Sequence, residues 1–318
     1  MTQRNPVIDV CKGIGILLVV VGHLGTIWGS PIYMFHMSLF FILSGVCFSD
    51  KYLDLKVDFV RKRFMSILLP FLLFKGLAYV VVHFSPWNGA AAFIDHYHLL
   101  GTLWFLKCLF LASVIGLVII WGLRKVGCNK RWMPALMSIV LASVLSMTIG
   151  DDNRAVFMWL TFHFLVGYAV KPYLSVLGDT NTSVLKILTF GGGITLLLLL
   201  PSVTPNVIAD CIYINYLPYC VTAFLGSWMT LQVSSFLVQK HFLANTLIII
   251  GQKTMPIMLF HFAAFMAVDL ILDTKVIVVE AELFVKIAKF NMGIVLPILL
   301  DIIYMNIKGK LKTNIATT

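Results

Sequence analysis

The chain has 318 residues, 60% of them hydrophobic and only 12% charged, with a formal net charge of +10 at pH 7. That composition excludes a soluble globular enzyme, and apolar runs of about twenty residues recurring along the chain define a polytopic helical membrane protein. Within hydrocarbon every backbone polar group must be satisfied inside its own helix, so the expected fold class is all-α integral membrane, a single bundle of about ten transmembrane helices over residues 1–318.

In chain order the predicted spans are 7–28, 32–49, 64–84, 100–122, 133–149, 155–171, 184–201, 208–231, 244–270 and 283–306. Turn-forming clusters such as Ser85-Pro86-Trp87-Asn88-Gly89, Gly150-Asp151-Asp152-Asn153 and Gly178-Asp179-Thr180-Asn181 separate them. The first apolar run is interrupted by Asp9 and Lys12 and leads straight into another span, so it reads as the first transmembrane helix rather than a signal peptide. No internal repeat, low-complexity tract or appended soluble domain is visible.

Loop charge sets the expected orientation. With the N-terminus in the cytoplasm, the inside receives Arg4, Lys51, Lys56, Arg61, Lys62, Arg63, Arg124, Lys125, Lys130, Arg131, Lys171, Lys186, Lys240, Lys308, Lys310 and Lys312. The outside receives Arg154 and Lys275 alone. This asymmetry satisfies the positive-inside rule with both termini cytoplasmic, and it accounts for the basic charge without a nucleic-acid partner. A multi-pass protein of the cell (inner or plasma) membrane, with the lipid bilayer as its surroundings, is the expected setting. The six cysteines (Cys11, Cys47, Cys108, Cys128, Cys211, Cys220) form no C-x-x-C pair, and no metal site is expected.

Two connecting segments carry polar chemistry. Residues 50–63 (DKYLDLKVDFVRKR) form a charged inner loop, read either as a stop-transfer cluster near anionic lipid or as a phosphate-binding patch. The outer loop 85–99 has no Lys or Arg but carries Asp95, His96, Tyr97 and His98, residue types common both at a membrane interface and on a sugar-binding surface.

The unusual residues cluster between Arg4 and Asp50. An ionisable group near the centre of a spanning helix costs about 2.5–3.5 kcal/mol on insertion scales, so Asp9, Lys12 and His23 in the first span need a compensating reason. Lys12 and His23 are eleven residues apart. At 100° per residue that is three turns plus about 20°, which puts them on one helix face and roughly 16 Å apart along the axis. Asp9, three residues before Lys12, is placed to pair with it. His36 opens the second span at the end where His23 lies, and a histidine near its ordinary pKa can accept the proton of a hydroxyl at neutral pH. His83 and His163 read as structural histidines that bond within the bundle.

These residues carry a family pattern. Ile8-Asp9-Val10-Cys11-Lys12-Gly13, then Val21-Gly22-His23, then Phe35-His36-Met37-Ser38-Leu39-Phe40-Phe41-Ile42-Leu43-Ser44-Gly45 resemble the opening blocks of the membrane-bound acyltransferase-3 family, with its R/K-x10-H motif. Arg61-Lys62-Arg63 before Leu69-Pro70, Leu103-Trp104-Phe105-Leu106, Phe164-Leu165-Val166-Gly167-Tyr168, and Ile250-Gly251-Gln252-Lys253-Thr254 followed by Phe260-His261 extend the resemblance over nearly the whole chain. Ser38 stands where many members have Pro and Thr254 where many have Ser. Arg61 and Arg63 are spaced by two rather than by the family's three.

The resemblance implies acyl transfer, usually of acetyl from acetyl-CoA, to a hydroxyl of a cell-surface or exported carbohydrate. Carried onto this chain, it makes His23 the candidate base, with His36 orienting or assisting it and Asp9 counted with them. It makes Lys12, Arg61 and Arg63 the candidate cations for the donor, with Ser44 and Trp104 lining its cavity. The partners implied are acyl-CoA and a carbohydrate acceptor, and transfer is either direct or through a brief acyl-enzyme. The alternative class is a transporter or flippase for a sugar or lipid-linked substrate, since intramembrane Asp, Lys and His also serve proton relays. A non-catalytic sensor on the same scaffold is a third reading.

Overall fold

The first helix starts where the sequence supplies a cap. The Asn5 side chain accepts the backbone N–H of Val7 at 3.0 Å, Pro6 occupies the first turn, and Asp9 places a carboxylate near the positive end of the helix dipole. The computed structural model describes residues 4–25, 32–84, 103–149, 152–174, 190–194, 216–272 and 282–316. Among them every regular element is helical: α1 (Pro6–Gly22), α2 (His36–Val46), α3 (Lys56–Arg63), α4 (Leu69–Phe84), α5 (Trp104–Lys125), α6 (Met133–Ile149), α7 (Asp152–Val170), α8 (Tyr216–Leu237), α9 (His241–Gln252), α10 (Thr254–Leu272) and α11 (Glu282–Ala316). Among the described residues, five stretches are long and apolar enough to cross a membrane: Lys56–Val81, Trp104–Lys125, Tyr219–Leu237, Thr254–Leu272 and Glu282–Gly309.

Several boundaries differ from the expected spans, each for a local reason. The first helix stops at Gly22 rather than near residue 28, with His23 as its C-cap and Gly25 in the left-handed region at φ 64°, a conformation that terminates helices. The segment 50–63 is no loop. A 3-10 turn (Asp50–Leu53) leads into α3, and a single π-helical turn (Phe64–Leu68) joins α3 to α4. Pro70 cannot donate to the carbonyl four residues back, and the wider π turn lies where that bond would be lost. The predicted span 244–270 is two helices, α9 and α10, broken at Lys253. Pro256 sits in the first turn of α10, where its missing N–H costs nothing. The predicted span 184–201 lies outside the described residues except for 190–194, and the outer segment 85–99 lies wholly outside them.

The first two helices stand at the centre. α1 packs against α2, α8, α9, α10 and α11, while α2 packs against α5, α7 and α8. Glycine makes two of these crossings unusually close. A Cβ on Gly251 of α9 would strike the Asp9 carbonyl and the Gly13 nitrogen of α1, and one on Gly13 would strike the Leu247 carbonyl. Likewise a Cβ on Gly45 of α2 would strike the Phe164 carbonyl, and one on Gly167 of α7 the Ile42 carbonyl. Backbones brought this near gain dispersion contacts where lipid offers no hydrophobic drive for helix association.

Between these crossings lies the main apolar core, built from Ile16, Val19 and Val20 of α1, Phe40 and Phe41 of α2, Phe105 and Leu106 of α5, and Ile257, Met258 and Phe262 of α10. Two ion pairs lie on the periphery. Lys253 bonds Asp301 at 2.5 Å and Lys289 bonds Asp269 at 2.8 Å, tying α10 and its preceding break to α11.

Candidate active site

His23 sits just past the last helical residue of α1, half-buried, and its backbone N–H still reaches the Val19 carbonyl at 3.2 Å. Two other segments, α10 and the turn before α2, bring three aromatic rings to it. The His261 ring of α10 stacks on it, with centroids 5.4 Å apart and planes at 27°. Phe262 lies 4.7 Å from His23 and 4.4 Å from His261, wedged against both. Tyr33, from the turn before α2, touches His23 at 6.1 Å and His36 at 5.3 Å, and its hydroxyl donates to the Gly22 carbonyl at 2.8 Å. That bond anchors Tyr33 to the end of α1.

Hydrogen bonds determine which nitrogen of the buried histidines is basic. A backbone carbonyl can only accept, so a ring nitrogen facing one carries the proton. His36 Nδ1 lies 2.7 Å from the Ile32 carbonyl, and His261 Nδ1 lies 2.9 and 3.1 Å from the Ile257 and Met258 carbonyls. Both rings are therefore assigned as Nδ1–H tautomers whose Nε2 keeps its lone pair. His261 is 2% exposed, and its Nε2 is buried without a hydrogen-bond partner among the described residues. A buried polar nitrogen left open next to another imidazole is an acceptor awaiting a donor.

The far end of α1 has a different chemistry. Asp9 is 4% exposed and faces Lys12 Nζ at 3.9 Å, Arg4 Nε at 3.7 Å and the Gln252 amide at 3.4 Å. It lies fourteen residues from His23 in the chain, roughly 21 Å along the helix. The structure thus joins Asp9 to Lys12 and not to the histidines.

The remaining predicted residues are distributed between these poles. Ser44, eight residues into α2 from His36, is 9% exposed and its Oγ has no partner among the described residues. Trp104 opens α5, half-buried against the main core with its ring 6.3 Å from Phe105. Arg61 and Arg63 diverge, as a two-residue helical spacing of about 200° requires. Arg61 borders a pocket shared with Phe64, Val114 and Trp121, whereas the Arg63 guanidinium rests 5.2 Å from the Phe59 ring centre. His163 and His83 each bond a carbonyl one turn back in their own helix, Trp159 at 3.1 Å and Tyr79 at 2.9 Å. The outer-loop residues Asp95, His96, Tyr97 and His98 lie outside the described residues.

Two members of the cluster were not among the residues singled out from sequence. His261 was visible as the end of a family-like segment but carried no assigned part, and Tyr33 had no signal beyond its position before Phe35-His36.

The structure thus sets a half-buried imidazole with a second one stacked on it at one end of α1, and a carboxylate-paired cation at the other, within a helical frame. The Acyltransferase domain family matches residues 5–300, and the chain belongs to that family. It is 28% identical over 214 residues to nodulation protein NolL of Mesorhizobium japonicum, covering 55% of this chain and 57% of that protein. It is 32% identical over 190 residues to nodulation protein NolL of Sinorhizobium fredii, covering 53% of this chain and 50% of that protein. The chain thus spans about half the length of the curated relatives it matches. No solved structure gives a significant match.

Proposed function

We propose that the protein transfers an acetyl group from acetyl-CoA to a hydroxyl of a cell-surface or exported carbohydrate. In this reading it is a multi-pass protein of the cell membrane, a bundle of about ten helices with both termini in the cytoplasm. The family match over residues 5–300 supports acyl transfer, and the observation that carries the site is the stacked His23–His261 pair at the opposite end of α1 from Lys12.

The donor enters from the basic side. Lys12, held by Asp9, supplies positive charge along its route together with Arg61 and Arg63, while Ser44 and Trp104 line the acyl arm. At the other end His23 takes the proton of the sugar hydroxyl as its oxygen attacks the thioester carbonyl. The carbon–sulfur bond then breaks, and the proton passes from His23 to the departing thiolate. While His23 is protonated its ring turns out of the stack to donate its second N–H to His261 Nε2, and Tyr33 and His36 flank it. A neutral second imidazole is suited to this part because it stabilises a charge that exists only during the reaction.

The test is reconstitution of the full chain in liposomes with labelled acetyl-CoA and a panel of surface-glycan acceptors. Acetyl transfer that is lost in His23→Ala supports the proposal. Movement of an acceptor across the bilayer without thioester consumption overturns it in favour of transport, and a stable acetyl-protein formed without acceptor replaces direct transfer by a covalent route.

A further inference from the structure

A separate pocket of about 660 Å³ opens on the basic face, between the 3-10 turn Asp50–Leu53, the start of α3 and the last turn of α5. Lys51, Lys56, Arg124 and Lys125 line it against Asp50 and Asp54, with the Trp121 indole in its wall. Cations therefore outnumber carboxylates, and the site is organised rather than a loose charged surface. Arg124 is held by Asp50 Oδ2 at 3.3 Å and by the Tyr168 hydroxyl at 3.2 Å, and the same Asp50 oxygen is held by Arg131 at 2.6 Å. Three of the five guanidinium N–H groups of Arg124 stay free of those two bonds. The other Asp50 oxygen, Oδ1, is buried with no hydrogen-bond partner among the described residues. Lys56 and Lys125 place their ammonium groups 5.1 and 5.8 Å from the Trp121 ring centre.

These features complement one chemical class. Ammonium groups and a preset guanidinium bind phosphates. A flat indole beside them stacks a base. The residues expected from sequence to hold the donor offer less. Lys12 is already paired with Asp9, and Arg61 and Arg63 face different surroundings. From this pocket α2 leads toward His36, rising about 16 Å over its length, with the unpartnered Ser44 Oγ on the way.

We propose that this pocket seats the phosphorylated nucleotide end of the acyl donor, with phosphates on Lys56, Lys125 and Arg124 and the base against Trp121. The assignment rests on the acyltransferase reading and adds to it where the donor is recognised.

The experiment measures binding of coenzyme A, the unreactive thiol, to the full chain in phosphatidylcholine nanodiscs. Wild type is compared with Trp121→Leu, with the double variant Lys56→Gln/Lys125→Gln, and with the double variant Lys130→Gln/Lys240→Gln as an equal charge change outside the pocket. The expected result is saturable wild-type binding, competed by adenosine 3′,5′-bisphosphate and weakened about tenfold or more in the Trp121 and double-lysine variants. The Lys130→Gln/Lys240→Gln variant stays at the wild-type value, as does the affinity of every variant for pantetheine, which lacks the phosphates and the nucleoside. In turnover the KM for acetyl-CoA rises with kcat retained. Wild-type affinity in all variants overturns the placement and leaves the acyltransferase reading standing. Wild type that neither binds coenzyme A nor consumes acetyl-CoA overturns both. Phosphatidylglycerol retained by wild type and lost from the double-lysine variant, with coenzyme A affinity unchanged, assigns the pocket to a lipid headgroup and overturns the proposal.

Discussion

The two ends of α1 and α2 solve opposite electrostatic problems. At the basic end, charge is abundant and is neutralised in pairs: Asp9 with Lys12 and Arg4, and Asp50 with Arg124 and Arg131. At the other end His23, His36 and His261 gather with no carboxylate in contact among the described residues, and two of them spend Nδ1 on backbone carbonyls of their own chain neighbourhood. The first arrangement holds permanent charge in place. The second holds titratable rings in fixed positions, which under the proposed function suits a group that must gain and lose a proton within one reaction cycle. The same short helix therefore separates a cluster of paired charges from a cluster of imidazoles.

The sharpest way to break this division is His23→Ala. Acetyl transfer is expected to fall by about 10²–10⁴-fold, the usual contribution of a positioned base, while helical content and thermal midpoint stay near wild type. An equal loss of folding would instead make His23 a packing residue. Asp9→Asn supplies the contrast, since it touches the cation and not the histidines. It is expected to raise the KM for acetyl-CoA with little change in kcat, and a kcat loss matching that of His23→Ala would erase the distinction between the ends.

His261→Phe keeps the ring packing but removes the open Nε2. Loss of alignment of this kind costs roughly 10–100-fold in kcat, and steady-state kinetics should show it without a change in donor affinity. Gly251→Val tests the frame that holds both ends, because its side chain must enter the space of the α1 backbone at Asp9 and Gly13. Overpacking costs about 1–3 kcal/mol or more, read as a lower thermal midpoint in detergent. The smallest effect is expected from Tyr33→Phe, which removes one hydrogen bond to Gly22. Its loss of about 1 kcal/mol would appear as a severalfold fall in kcat.

Much of the frame was legible without a structure because its signals are local. Apolar runs marked the helices, while the turn clusters at 85–89 and 178–181 lie outside the described residues. Besides the early end of α1, two boundaries misled. Around 50–63 the dense charges looked like a loop, yet nothing in Lys56–Arg63 breaks a helix, and burial of Phe59 at 2% exposure gives that helix an inward face. Within 244–270 the hydropathy is continuous, so the break at Lys253 was masked, even though Pro256 marked the start of a new helix.

The site divides in the same way. His23, His36 and Lys12 stood out because a polar residue in an apolar run is costly wherever it lies. Their true neighbours were hidden, since the contact between His23 and His261 joins opposite ends of the chain and depends on how α1 crosses α9 and α10. That crossing is fixed by Gly13 and Gly251, whose missing side chains mean nothing until two backbones are placed against each other.

By itself, then, the sequence determined the membrane class and the helix that carries the key polar groups, because hydropathy and helical periodicity are properties of adjacent residues. Only the tertiary structure decided which imidazole meets His23, that Asp9 pairs with Lys12, and that Trp121 and four cations line an open pocket. Those are relations between helices, set by close packing at points that the linear pattern does not encode.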